Sequence, residues 1–337
     1  MPVEAAATAG PEPVDVPTGT TPRDVVWTRN KTTLYRYRPL APQEHATPVL
    51  LVYALINRPY ILDLRPDNSF VRHLLRHGYD VFLIDWGRPG REDAGTTFDE
   101  LIGEHLPKAV ERMARAGAGD AYTLLGYCMG GTMGAIHAAL RPEGLRNLVA
   151  LTTPIDFAAP GAHTLWADPR RFDPAPLVEA LGNIPASLID LGTKLLRPFT
   201  NFVEVHIVML ERMAAGRDMT PWRAMNQWVN DPVSFPGAAF RQWIELFYQQ
   251  NLLVCDALEM AGRPVRLADV EAPLLAVAGT KDHIVPPGMA RPIVDLVGSA
   301  DREYVELPAG HVGLMAGSGA RDMLWPAITD WLDARSD

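Results

Sequence analysis

A chain of 337 residues is long enough to bury one large core or two ordinary ones, and 47% apolar with 21% charged residues is the mixture of a globular protein, not of a disordered or fibrous one. A formal charge of −9 argues against nucleic acid as the main partner. Two cysteines, Cys128 and Cys255, are too few for a disulfide scaffold. With no secretory leader and no apolar run of membrane-spanning length, they predict a reduced, cytoplasmic setting and no membrane span.

Residues 1–25 begin with an Ala-, Pro-, Thr- and Glu-rich stretch and read as a flexible arm. Residues 32–37 alternate and carry β-branched and aromatic side chains, as an edge strand does. PVLLVYALI, 48–56, is a near-continuous apolar run, the mark of a strand covered on both faces, and YDVFLID, 79–85, is another. Between them 68–78 reads as a helix stopped by Gly78. Phe98, Leu101, Ile102, Leu106, Val110 and Met113 recur at helical spacing. A strand at 122–125, a helix at 132–140 and a strand at 145–152 follow.

Alternation of strand and helix predicts an α/β fold with a mostly parallel sheet and right-handed crossovers. From 160 to 269 the alternation stops: no convincing strand is found, and helical segments rich in aromatic residues appear at 202–213 and 240–253. Strand and helix resume with PLLAVAGT at 273–280, then a helix at 291–296, a strand at 303–307 and a last helix at 320–332. The expected organisation is an α/β core made of 26–159 and 270–337, interrupted by a helical cap at 160–269.

Gly126-Tyr127-Cys128-Met129-Gly130 has the spacing of a nucleophile elbow, with cysteine where serine usually stands. Side chains at the glycine positions would collide with neighbouring backbone, and the helix N-terminus that follows favours a thiolate. Such a nucleophile needs a histidine base oriented by a carboxylate, in the chain order nucleophile, acid, base. Asp282, in TKDHIVPP, and His311, in AGHVGLMAG, each follow a predicted strand, where catalytic loops of open sheets gather. Asp156, in TTPIDF, is an alternative acid.

Other readings are plainer. Cys255 reads as a core residue of a helix, His137 as packed or solvated, and Asp85 as the brace of a loop. Two backbone N–H groups are expected to form an oxyanion hole, that of Met129 and that of Ile56 or Asn57. Arg88 and Arg91, in WGRPGRED, are candidates to hold an acidic substrate group, with a charged surface loop as the alternative. No HExxH, cysteine pair or G-x-G-x-x-G after the first strand is present, so neither a metal site nor a nucleotide-cofactor site is expected.

The segment NRPYILDLRPDNSFVRHLLRHGYDVFLIDWGRP from Asn57, the box GYCMGG, LTTPIDF from Leu151, FPGAAFRQWIELFYQQNLLV from Phe235 and KDHIVPP from Lys281 together resemble the polyhydroxyalkanoate synthases, over roughly residues 30–335. Within that family the chain looks like the short, two-component kind, class III or class IV. That resemblance implies an α/β-hydrolase fold and an enzyme that polymerises 3-hydroxyacyl-coenzyme A, short-chain such as 3-hydroxybutyryl-coenzyme A, with release of coenzyme A. It implies Cys128 as acyl-accepting nucleophile, His311 as base, and Asp282 as its partner with a further part in activating the incoming hydroxyl. It also implies a movable cap, a growing polyester chain at the site, a smaller companion subunit, and residence at the surface of polyester granules. Coenzyme A enters with the substrate, so no separate cofactor is expected; a homodimer is compatible. The alternatives are a cysteine-type thioesterase or polyester depolymerase, and a non-catalytic granule scaffold.

Overall fold

The computed structural model describes residues 16–159, 164–195 and 205–336. Residues 1–15 of the expected arm and parts of the expected cap lie outside them. Eight strands form the central sheet: β1 (Arg23–Arg29), β2 (Thr32–Tyr37), β3 (Val49–Val52), β4 (Val81–Asp85), β5 (Tyr122–Tyr127), β6 (Leu145–Leu151), β7 (Leu274–Gly279) and β8 (Arg302–Leu307). Their spatial order is β1-β2-β4-β3-β5-β6-β7-β8. β2 pairs antiparallel with both β1 and β4, and every other neighbouring pair is parallel.

Burial explains the sequence pattern. Every residue of β3, β4, β5 and β7 is buried, so their side chains are apolar on both faces apart from Thr123 and the strand-end Asp85, whereas the edge strands β1 and β8 mix exposed and half-buried positions. Each fully buried Val or Leu side chain of this layer contributes roughly 1.5–3 kcal/mol. Helix α1 (Phe70–Arg76) starts on the Ser69 side chain, which accepts from the Arg72 N–H at 3.0 Å, and ends before Gly78 at φ +79°.

Two expectations change. Residues 16–25 are not a free arm: Val16 N donates to Gln227 Oε1 at 3.1 Å, Thr21 bonds the Asp63 carboxylate through both its N–H and its hydroxyl, and β1 begins at Arg23. The edge of the sheet is therefore β1, and β2 lies inside it. The 160–269 stretch carries helices at Thr164–Ala167, Pro174–Leu181, Ala186–Leu195, Val205–Ala214, Thr220–Val229 and Gly237–Gln242, the last continuing as a wider turn to Gln249. It also contains a short hairpin, Leu258–Met260 with Arg263–Val265, whose three-residue strands are too brief to show a period in sequence.

Aromatic rings join this stretch to the sheet domain. Trp243 stacks on Phe98 at 5.6 Å, and the Phe157 ring meets Trp243 and Tyr248 edge-on at 5.1 and 4.9 Å. Asn251 completes the joint: its side chain accepts from Phe157 N and donates to Asp156 Oδ1.

Candidate active site

Parallel strands end at one edge of a sheet, and here the ladder itself aligns those ends. Cys128 N donates to Leu151 O at 2.9 Å, Thr152 N to Val277 O at 2.7 Å and Thr280 N to Leu307 O at 2.8 Å. The loops after β5, β6, β7 and β8 therefore start side by side. They carry Cys128, Thr152, Asp282 and His311.

Cys128 is the single residue between β5 and helix α2 (Met129–Ala139), with φ 57° and ψ −128°. That conformation is rare for a residue with a side chain and holds the half-buried thiol at the turn. The glycines around it are required by contact. A Cβ on Gly126 would lie 2.4 Å from Gly131 Cα, one on Gly130 would lie 2.2 Å from Val52 O, and one on Gly131 would meet the Thr153 hydroxyl. The sequence placed the start of the helix at Thr132; it starts at Met129, directly on the nucleophile.

His311 opens helix α3 (His311–Ala316) and is buried. Its Nδ1 lies 2.7 Å from Asp282 Oδ2, which leaves Nε2 as the ring nitrogen to serve Cys128, whose charge acts on the ring. Burial disfavours a charged ring, but the negative charges of Cys128 and Asp282 and the hydrogen bond to Asp282 outweigh it, so His311 is raised well above the ordinary imidazole range. Burial likewise opposes a charged Asp282, yet the His311 charge and the hydrogen bonds from His311, Thr152 and Val285 N hold it below the ordinary carboxylate range. Asp282 Oδ1 accepts from the N–H groups of Ile284 and Val285 at 2.8 and 2.9 Å, while Oδ2 accepts from the Thr152 hydroxyl and faces His311 Nδ1.

Three buried tyrosines, Tyr53, Tyr127 and Tyr248, lie within electrostatic reach of the thiol. Tyr127 donates its hydroxyl to the His311 carbonyl at 2.8 Å, and its ring stacks on Tyr53 at 5.5 Å. Burial first, and the charge at Cys128 in addition, raise the hydroxyls of Tyr53, Tyr127 and Tyr248, so all three stay neutral. Sequence reading passed over them, and over Thr152, because an aromatic or β-branched residue beside an apolar strand reads as core.

The N–H of Met129, first residue of α2, has no acceptor within its own helix. The loop after β3 touches the elbow at Val52 and Tyr53, against Gly130. Ile56 and Asn57 lie further along this loop and are half-buried, and Val233 N donates to the Ile56 carbonyl at 3.3 Å.

The remaining expectations sort clearly. Asp156 bonds Ala158 N and Asn251, away from His311. Asp85 braces its loop by accepting from Gly87 N at 2.9 Å. His137 is packed, 2.7 Å from the Tyr122 hydroxyl, and burial lowers it to about 4. Cys255 is exposed, not core: the helical segment has already ended, and the chain turns through Asn251 and Asp256, both at positive φ. Arg88 is exposed and ion-paired with Asp231, and Arg91 is exposed at the head of the short turn Arg91–Asp93. Among the described residues neither bonds to Cys128, Asp282 or His311, so the substrate-holding expectation for them gains no support. A cavity of about 530 Å³ runs past Arg72, His73, Arg321 and Trp325 and includes none of the three. No metal-ligand cluster occurs among the described residues.

The strand order, the elbow and the loops that deliver its partners define an α/β-hydrolase fold, and the family model described as "alpha/beta hydrolase fold" matches residues 47–318. Solved structures agree on the fold: a putative lipase from Sulfolobus solfataricus superposes with a TM-score of 0.58 at 15% identity over 90% of this chain and 89% of that one. A thermophilic esterase from Thermogutta terrifontis gives 0.56 at 18% identity over 94% and 100%.

Within that fold the chain belongs to the poly(3-hydroxyalkanoate) polymerase subunit PhaC family. It is 39% identical to the PhaC subunit of Haloferax mediterranei, covering 96% of this chain and 66% of that protein, and 35% identical to that of Allochromatium vinosum, covering 95% and 90%. The model of the PhaC N-terminus, "Poly-beta-hydroxybutyrate polymerase (PhaC) N-terminus", matches residues 14–74. No helix among the described residues is long and apolar enough to cross a membrane.

Proposed function

We propose that this chain polymerises 3-hydroxyacyl-coenzyme A through an acyl-cysteine at Cys128. The observation that carries this reading is the elbow thiol within the electrostatic reach of a buried His311 that is backed by Asp282 at 2.7 Å, in a chain of the PhaC family. In the first half-reaction the Cys128 thiolate attacks the thioester carbonyl. The C–S bond to coenzyme A breaks, and the leaving thiolate takes the proton held by His311. In the second, His311 Nε2 removes the proton from a 3-hydroxyl group. That oxygen attacks the acyl-cysteine, an ester forms, and the Cys128 thiolate is released. Thiolate and thioester exchange between groups of similar basicity, so the balance closes with no cofactor beyond the coenzyme A of the substrate.

Negative charge on the tetrahedral intermediates falls to the Met129 N–H and to an N–H of the β3 loop, between the Tyr53 contact and Ile56 or Asn57. Asp282 acts through His311. Its two oxygens already face four donors and its side chain is fully buried, which argues against a direct part in activating the incoming hydroxyl. The aromatic layer of Phe157, Trp243 and Tyr248 supports a water-excluding roof, the condition that favours ester formation over hydrolysis.

The proposal extends to a short-chain substrate, a growing polyester as second substrate, a smaller companion subunit and work at the surface of cytoplasmic granules. Six large apolar side chains stand exposed on the described helices of the 160–269 stretch: Leu181, Leu188, Leu191, Ile207, Leu210 and Met213. Such a surface favours an apolar partner or polymer over bulk water. The deciding assay follows products from 3-hydroxybutyryl-coenzyme A, with and without a copurifying companion. Insoluble polyester with coenzyme A release supports the reading. Free hydroxyacid as the main product means a thioesterase, and no turnover with the companion present means a scaffold.

A further inference from the structure

The corner after β6, Leu151 to Pro154, touches every element that carries the triad. Leu151 O accepts from Cys128 N, Thr152 N donates to Val277 O of β7, Thr153 packs on Gly131, and Pro154 O accepts from the Thr132 hydroxyl at 2.7 Å. At its centre Thr152 has φ 42°, an outlier for a β-branched residue, and its side chain is fully buried. Its hydroxyl donates to Asp282 Oδ2 and lies 3.3 Å from His311 Nδ1. Among the described residues no other hydrogen bond leaves this hydroxyl.

We infer that Thr152 is a positioning residue for the acyl-transfer reaction, its hydroxyl fixing Asp282 as a charged, aligned acceptor and so holding His311 with Nδ1 protonated and Nε2 turned to Cys128. This rests on the reading of Cys128 as nucleophile. The physical reason is donor count. A buried carboxylate oxygen that faces both the ring and a hydroxyl stays ionised and cannot rotate away. Without the hydroxyl, one lone pair is left in a dry site, the anion is less favoured, and its hold on a protonated His311 weakens. The thiolate–imidazolium pair then forms only at higher pH. The outlying backbone fits this: a residue held in so unfavourable a conformation has surroundings that over-determine it, and what the conformation achieves here is delivery of the hydroxyl between acid and base. Among the described residues, Cys128, Tyr53, Tyr127 and Tyr248 share the electrostatics of this site and Lys281 and His283 flank Asp282 in the chain; no hydrogen bond from Thr152 goes to the side chain of any of them.

The test follows alkylation of Cys128 by iodoacetamide against pH in the full chain, read by peptide mass so that exposed Cys255 is counted separately, in Thr152→Val, Thr152→Ser and Thr152→Ala. Thr152→Val keeps the shape and removes the hydroxyl. Its alkylation profile should move to higher pH by about half a unit or more, and coenzyme A release should slow roughly 10- to 100-fold. Thr152→Ser restores the hydroxyl and should restore the wild-type profile. Thr152→Ala, smaller and less prone to misfold, should follow Thr152→Val. A Thr152→Val or Thr152→Ala profile that overlays wild type, or a Thr152→Ser protein shifted as far as Thr152→Val, overturns the proposal, since packing alone would then explain the residue. If wild-type Cys128 proves no more reactive than Cys255, the nucleophile reading itself fails, and this inference with it.

Discussion

His311 Nδ1 and Asp282 Oδ2 meet at 2.7 Å inside the protein, the carboxylate side chain fully buried behind the ring. With its other lone pairs taken by Thr152, Ile284 N and Val285 N, Asp282 reaches the reaction only through His311. Both half-reactions need the same imidazole, so Asp282→Asn should slow both. Single-turnover measurement should find acylation of the enzyme and transfer to a hydroxyl reduced together, by roughly 10²- to 10⁴-fold. Normal acylation with only transfer impaired would restore a direct role for the acid.

The same pair makes stability depend on pH. Asp282 is depressed in the folded protein, so its contribution is present above the unfolded carboxylate value and is lost as pH falls through the folded one. His311 is raised, so its contribution is full below the unfolded imidazole value and is lost as pH rises through the folded one. The two overlap between about pH 4 and 6.5. The Tm difference between wild type and Asp282→Asn should be largest in that window and shrink on either side. A difference that is flat from pH 4 to 9 would contradict the assignment.

Steric demand separates the glycines of the elbow. A Cβ on Gly130 lies 2.2 Å from Val52 O, which is backbone, whereas one on Gly134 lies 2.4 Å from Leu124 Cδ2, which can rotate. Gly130→Ala should therefore destabilise by about 3 kcal/mol or more, and Gly134→Ala by about 1–3 kcal/mol less a gain in helix propensity of about 1 kcal/mol. Urea unfolding of the two variants decides; equal losses would mean the sheet edge is softer than its hydrogen bonds imply.

The proposed water-excluding role of the aromatic layer is tested through the products. Trp243 is 5% exposed and joins Phe98 to Phe157. Trp243→Ala opens that layer and should raise the share of free hydroxyacid at the expense of polyester, with Cys128 acylation kept. An unchanged product ratio would remove the roof from the mechanism.

Much of this site was legible in the residues. Strands β3, β4, β5 and β7 announce themselves because burial on both faces demands unbroken apolar runs. The elbow is legible because its glycines stand at the fixed offsets of a nucleophile turn, and Asp282 and His311 because each follows a predicted strand. What stayed hidden depends on contacts distant in sequence. β1 sits behind a stretch whose composition reads as disorder, and its partner across the sheet is what orders it. Thr152 looks like any strand-end threonine, since nothing local foretells a β-branched residue at φ 42°. Cys255 follows Leu252, Leu253 and Val254, and only the observed turn exposes it.

The central claim is the covalent intermediate. Rapid quenching of the enzyme with 3-hydroxybutyryl-coenzyme A, followed by intact-protein and peptide mass spectrometry, reads it directly. The account predicts a hydroxyacyl mass on the peptide carrying Cys128, formed no more slowly than coenzyme A is released, absent in Cys128→Ala and absent from the Cys255 peptide. Turnover with no acyl mass on Cys128, or a Cys128→Ala protein that still releases coenzyme A at the wild-type rate, would contradict it.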